Sequence, residues 1–192
     1  EWFIYYVLIG LGGGVLLGLT AGVFSTIGVD TETALFSWIL PCGAAGAVLV
    51  AAWRVGAKQG VIENMAPVLT RVFTPLFAVM LLAFGVTAVW QGDARTVDRE
   101  LLIVFDLVLI VVLALVLYSV SARDPLAPPG GFERLQVVLL GSAIIVDGYV
   151  LVAMLSRIGA FGFSPNKVAS LGLNILVLVN LVGSLMILIG FL

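Results

Sequence analysis

Apolar residues run nearly unbroken in six stretches, and polar, proline- and glycine-bearing residues gather between them. The stretches cover about 2–24, 35–52, 72–90, 101–121, 135–156 and 168–192. Each is near the roughly 20 residues a helix needs to cross a hydrocarbon layer. In lipid the backbone finds no water, so only helices and closed barrels span it. Barrel strands alternate over about 10 residues, which these continuous runs do not. The expectation is an all-α fold, a polytopic transmembrane helix bundle of about six spanning helices forming a single transmembrane helical domain over 1–192.

The connections carry their own signals. The first is acidic, with Asp30 and Glu32. The link 53–71 carries Arg54, Lys58 and Glu63 and is expected to lie partly along the interface. Pro75 falls in the first turn of the third stretch. The link 122–134 includes RDPLAPPGGFER, where proline and glycine forbid a continuous helix and Arg123-Asp124-Pro125 is a helix stop. Before the last stretch, in GAFGFSPNK, Ser164 is placed as an N-cap with Pro165 at the first helical position. All four tryptophans, Trp2, Trp38, Trp53 and Trp90, fall at span ends, where an apolar indole with one N–H prefers to sit.

Composition narrows the class. The chain is 62% hydrophobic and 10% charged, against roughly 25% charged residues in a soluble domain. Disorder needs the opposite balance. A net charge of −2 with nine Lys and Arg provides no basic patch, so no nucleic-acid partner is expected. Histidine is absent, which removes His-based metal sites, haem ligation and Ser-His triads; no cofactor and no metal are expected. The single cysteine, Cys42, has no internal disulfide partner and is read as a small packing residue. The chain begins at Glu1 rather than Met, so it is read as the C-terminal part of a longer one. Its first stretch is too long for a signal-peptide core and lacks a basic start.

Orientation is weakly encoded. Arg54, Lys58, Arg71, Arg123 and Arg134 fall on one side; Arg95, Arg99, Arg157 and Lys167 fall on the other. The first connection has acids and no base, which tips both termini toward the cytoplasm.

Two features carry the candidate chemistry. In the first stretch Gly10, Gly14, Gly18 and Gly22 recur every four residues, a face on which another helix can approach to backbone contact. It is read as a helix-packing face within the chain, with Gly43 and Ala47 of the second stretch as the surface meeting it. The sharper reading is self-association or a pore lining. Inside the later spans lie Asp106, Asp147, Asn174 and Asn180. A charge at mid-membrane costs about 3 kcal/mol on insertion scales, so each carboxyl needs a reason. The fourth and fifth spans run antiparallel, which puts the two aspartates within about 5 Å of the same depth, and Asn174 enters from the same face. These residues are expected to form one intramembrane polar or ion-binding layer, flanked by Ser142 and Tyr149. The structural alternative is that they hydrogen-bond neighbouring helices and simply hold the bundle.

An enzyme is the weaker expectation. Aspartyl proteolysis needs two carboxyls sharing a proton around a water. Asp147 stands in IVDGYV, without the GxGD pattern of presenilin-like proteases or prepilin peptidases, so no catalytic residue is assigned. Near the same membrane face, Arg157, Asn166 and Lys167 are candidates for an anion or lipid headgroup at a helix N-terminus, against ordinary snorkelling or pairing with Asp98 and Glu100.

Two segments, NMAPVLTRVFTPLFAVMLLAF and SRIGAFGFSPNKVASLGLNILVLVN, resemble an uncharacterised bacterial multi-pass integral-membrane family loosely labelled permease. The matching positions are Arg157, Ile158, Gly162, Phe163, Ser164, Pro165, Asn166, Asn174 and Asn180, while Lys167 stands where the family more often has Arg. The resemblance covers the last two-thirds of the chain. It implies a bacterial plasma membrane and brings no established activity. The leading expectation is a transport-type protein using the intramembrane acids and amides, with the bilayer and a homo-oligomer or membrane-complex partner around it. The alternative is a non-catalytic structural or assembly subunit that packs through the glycine face.

Overall fold

The computed structural model describes residues 2–25, 28–56, 61–91, 99–121 and 130–192, with backbone only at 54–56, 61–68, 88–91 and 99–101. Lys58, Arg95, Asp98, Arg123, Asp124 and Pro125 lie outside the described residues, as do the side chains of Arg54, Glu63, Trp90, Arg99 and Glu100. Six long helices carry the fold: α1 (Trp2–Ser25), α2 (Leu40–Gly56), α3 (Val61–Gln91), α4 (Arg99–Ser121), α5 (Gly131–Phe161) and α6 (Pro165–Gly190). No strand occurs among the described residues. Among the described residues six segments are long and apolar enough to cross a membrane, the second running Glu32–Trp53 through the turns that lead into α2. The all-α bundle read from the hydropathy pattern is the fold observed.

The helix ends follow local chemistry. Ser164 caps α6, its Oγ accepting the Lys167 backbone N–H at 3.4 Å, with Pro165 just inside the helix as expected. The start of α5 is held by Glu133, whose carboxylate reaches back to accept the Gly130 N–H at 2.8 Å. Its end is set by Gly162, whose φ of 72° is the left-handed conformation that glycine adopts without penalty. Between these signals α5 runs past the 135–156 stretch at both ends, with Glu133 capping its start and Arg157 lining a cavity near its end. Likewise α3 begins at Val61, so much of the 53–71 link is helix. A π-helical stretch, Leu35–Ile39, leads into α2, with the Leu40 N–H reaching back to the Leu35 carbonyl. Pro41 explains it: the ring has no N–H and would clash with the preceding turn of a regular helix, and widening that turn relieves both.

The chain forms two compact units, 1–73 and 74–192. In the first, α1 packs on α2. Tyr5 and Ala51 are buried together, with Tyr6 and Val72 against them. Trp2 stacks on Tyr6, with ring centroids 5.5 Å apart. Trp38 and Trp53 stay exposed near the ends of their span, and Cys42 is exposed rather than packed inside.

In the second unit α5 is central. It packs most extensively on α6 and also on α4, and α4 meets α6 in turn. Phe84 of α3 inserts its ring between the other two layers, 4.8 Å from Phe105 of α4 and 5.8 Å, edge-on, from Tyr149 of α5. The outer faces carry Leu107, Ile145, Val152, Leu176, Val179 and Met186, all exposed and apolar. Water would penalise such a surface, whereas lipid solvates it. The helices are accordingly those of a membrane protein in contact with lipid.

Candidate functional site

The second unit holds a cavity of about 200 Å³ between α4, α5 and α6. Its walls are Leu102, Ile103 and Asp106 from α4 and Met154, Arg157 and Ile158 from α5, with Ser164, Asn166, Lys167 and Ser170 from the start of α6. Antiparallel connection makes this possible: the start of α4, the end of α5 and the start of α6 lie at one end of the bundle. The polar residues come from helix ends, where side chains reach water, and Asp106 lies about 10 Å inside α4.

Asp106 is half-buried and accepts a hydrogen bond from the Asn174 amide nitrogen. This pair joins α4 to α6. Lys167, Ser170 and Asn174 fall at helical spacing along one stripe of α6, so Asn174 lies one turn below the cavity wall. On α5, Asp147 lies two turns from the cavity residue Met154. It is 0% exposed, and neither of its carboxylate oxygens has a hydrogen-bond partner. Asn174 is 1% exposed, and its remaining atom, Oδ1, is also without a partner. Buried polar atoms are normally hydrogen-bonded, so each exception requires a physical account.

Of the residues expected in one polar layer, the structure joins Asp106 to Asn174 and buries Asp147 on α5 without a hydrogen-bond partner. It does not bring in Asn180, which is exposed on α6 and donates to the Leu176 carbonyl of its own helix at 2.7 Å. Arg157, Asn166 and Lys167, expected as a separate surface site, share the cavity with Asp106. Lys167 is committed locally: its Nζ donates to the Gly162 carbonyl at 3.0 Å and lies 5.5 Å from the Phe161 ring centre. Ser142 turns its hydroxyl to the Leu139 carbonyl, and Tyr149 packs on Phe84. The sequence reading passed over Ser170, although its spacing from Lys167 and Asn174 marks one polar stripe. It also passed over Gln136, buried in α5 with its Nε2 unpartnered.

The glycine face is placed differently from its expected partner. A Cβ built on Gly10, Gly14 or Gly18 meets nothing within 4 Å, and the same holds for Gly43. The glycine of α1 that packs closely within the chain is Gly12, where a Cβ would stand 2.5 Å from the Phe73 ring. Tyr5, Ile9 and Val23 are the buried residues of α1. The glycine stripe begins one residue beyond Ile9, a rotation of about 100° around the helix.

Among the described residues, no group of three or more acidic or sulfur side chains could by itself hold a metal ion. No family model, curated protein or solved structure matches the chain.

Proposed function

We propose that the protein is a transport-type membrane protein whose ion-responsive site is built from Asp106, Asp147 and Asn174. One observation carries this reading: a fully buried carboxyl without a hydrogen-bond partner lies beneath a cavity floored by a second carboxyl. A structural role would leave Asp147 satisfied by neighbouring helices. A site that binds and releases an ion must instead keep unsatisfied groups, because their ligand is what satisfies them. We further place the protein in a bacterial inner membrane with both termini cytoplasmic, on the family resemblance and the base-free first connection; the cavity then opens on the opposite side.

The test is infrared difference spectroscopy on protein reconstituted in liposomes, while the perfusing buffer is stepped in pH and in salt. The expected result is a carboxyl response in the wild type that is lost in Asp147→Asn, with the size-exclusion profile unchanged. Absence of any carboxyl response would remove the transport reading. The subunit reading is favoured by a different observation: a Cβ on Gly10, Gly14 or Gly18 of α1 would meet nothing within 4 Å among the described residues.

A further inference from the structure

We infer that the cavity between α4, α5 and α6 is a headgroup site for a phospholipid carrying a primary amine, with the ammonium against Asp106 and the phosphate against Arg157 and Lys167. The lipid site goes beyond the ion-responsive reading and stands without it.

Both signs of charge line one small space. Asp106 comes from α4, Arg157 from near the end of α5 and Lys167 from the first turn of α6. Depth separates them. Asp106 is tied to Asn174, which follows Lys167 by seven residues, about 10 Å along α6. The carboxyl therefore forms the floor, and the cations stand nearer the end of the bundle. Lys167 is already posed there: the Gly162 carbonyl takes one of its three N–H donors at 3.0 Å, and Nζ lies 5.5 Å from the Phe161 ring centre. Side chains rather than the helix terminus make this positive end, because Pro165 has no N–H and Ser164 Oγ accepts that of Lys167.

A ligand that suits the space carries both charges. A simple anion would meet Asp106 at the floor, and a simple cation would meet Arg157 and Lys167 on the way in. A phosphate joined to an ammonium gives each end a charge-assisted hydrogen bond. A primary ammonium has three N–H groups for the carboxylate, whereas a trimethylated one has none. The cavity holds about 200 Å³, below the roughly 300–1,000 Å³ that encloses a drug-sized molecule. It fits a headgroup and not a whole lipid. The acyl part has its own place outside. Ile103 lines the cavity, and Ile103, Leu107 and Ile110 share one face of α4, all of them exposed. This apolar stripe runs from the cavity toward mid-span, where acyl chains lie, and it favours a tethered headgroup over a free solute.

The experiment is native mass spectrometry of the purified, delipidated protein in detergent, titrated with phosphatidylethanolamine, phosphatidylglycerol or phosphatidylcholine of matched chains. One phosphatidylethanolamine per chain should bind about tenfold or more tightly than either other lipid, as one added charge-assisted hydrogen bond gives. Asp106→Asn, which keeps an oxygen for Asn174, should remove that preference and leave phosphatidylglycerol binding unchanged. Lys167→Gln should weaken phosphatidylethanolamine and phosphatidylglycerol alike. Equal retention of the three lipids by the wild type, or a preference that survives both substitutions, would overturn the inference. Free phosphoethanolamine is the competing probe and should displace the lipid only at far higher concentration; displacement at equal concentration would overturn the lipid assignment in favour of a soluble zwitterion. The infrared carboxyl response reads the ion-responsive site separately, so the failure of either reading leaves the other standing.

Discussion

Replacing Asp147 with leucine separates a binding role from a structural one. Leucine repeats the branching of the aspartate side chain, so the substitution exchanges two unpartnered oxygens for two methyl groups at a position that is 0% exposed. On insertion scales the difference between Asp and Leu at a helix centre is about 3 kcal/mol in favour of Leu. The larger methyl groups give back about 1 kcal/mol through overpacking. The net expectation is a gain of about 2 kcal/mol in alkali-free buffer. In a chain of this length that corresponds to a rise of roughly 4–8 °C in unfolding temperature. The assay is thermal unfolding in detergent with choline chloride as the salt, repeated with sodium chloride. Any salt bound by the ion-responsive site should stabilise the wild type and leave the Asp147→Leu variant unchanged. If the variant is instead less stable than wild type in choline, Asp147 is held by bonds the bundle needs, and the reasoning from unpartnered oxygens fails. A residue that lowers stability when its ligand is absent is the expected signature of a functional position.

The two sets of glycines make further predictions. Gly12→Ala should lower the unfolding temperature, since its Cβ would crowd the buried Phe73 ring at a cost of about 1–3 kcal/mol, against a helix-propensity gain of about 1 kcal/mol. Gly13→Ala, which meets nothing, is the control; equal stability of the two variants would contradict the packing described for α1. Gly14→Leu and Gly18→Leu meet nothing within 4 Å of the Cβ among the described residues and should not lower the unfolding temperature, with a gain of up to about 1 kcal/mol from helix propensity. A change in assembly mass by native mass spectrometry would show a partner seated on that face and shift weight to the subunit reading, whereas an unchanged mass would exclude it.

The sequence by itself determined what is local: six helices, the Ser164–Pro165 start of the last one, and the placement of Asp106, Asp147 and Asn174 within membrane spans. Length, capping and the cost of a polar group in hydrocarbon act on neighbouring residues, and they can be read in order along the chain. Only the tertiary structure decided direction around each helix. In water, an apolar stripe marks the buried side. In lipid both sides are apolar, so the pattern does not say which face turns inward. Once Asn174 turns inward, Asn180, six residues on and about 120° away around the helix, faces outward, and Gly12 rather than Gly10, Gly14 or Gly18 packs against a neighbour. Direction is also why Asp106, from the acidic set, and Arg157, Asn166 and Lys167, from the basic one, came to line a single cavity once α4, α5 and α6 were packed together. The missing partners of Asp147 were the least legible feature, because an unpaired atom is defined by every helix around it.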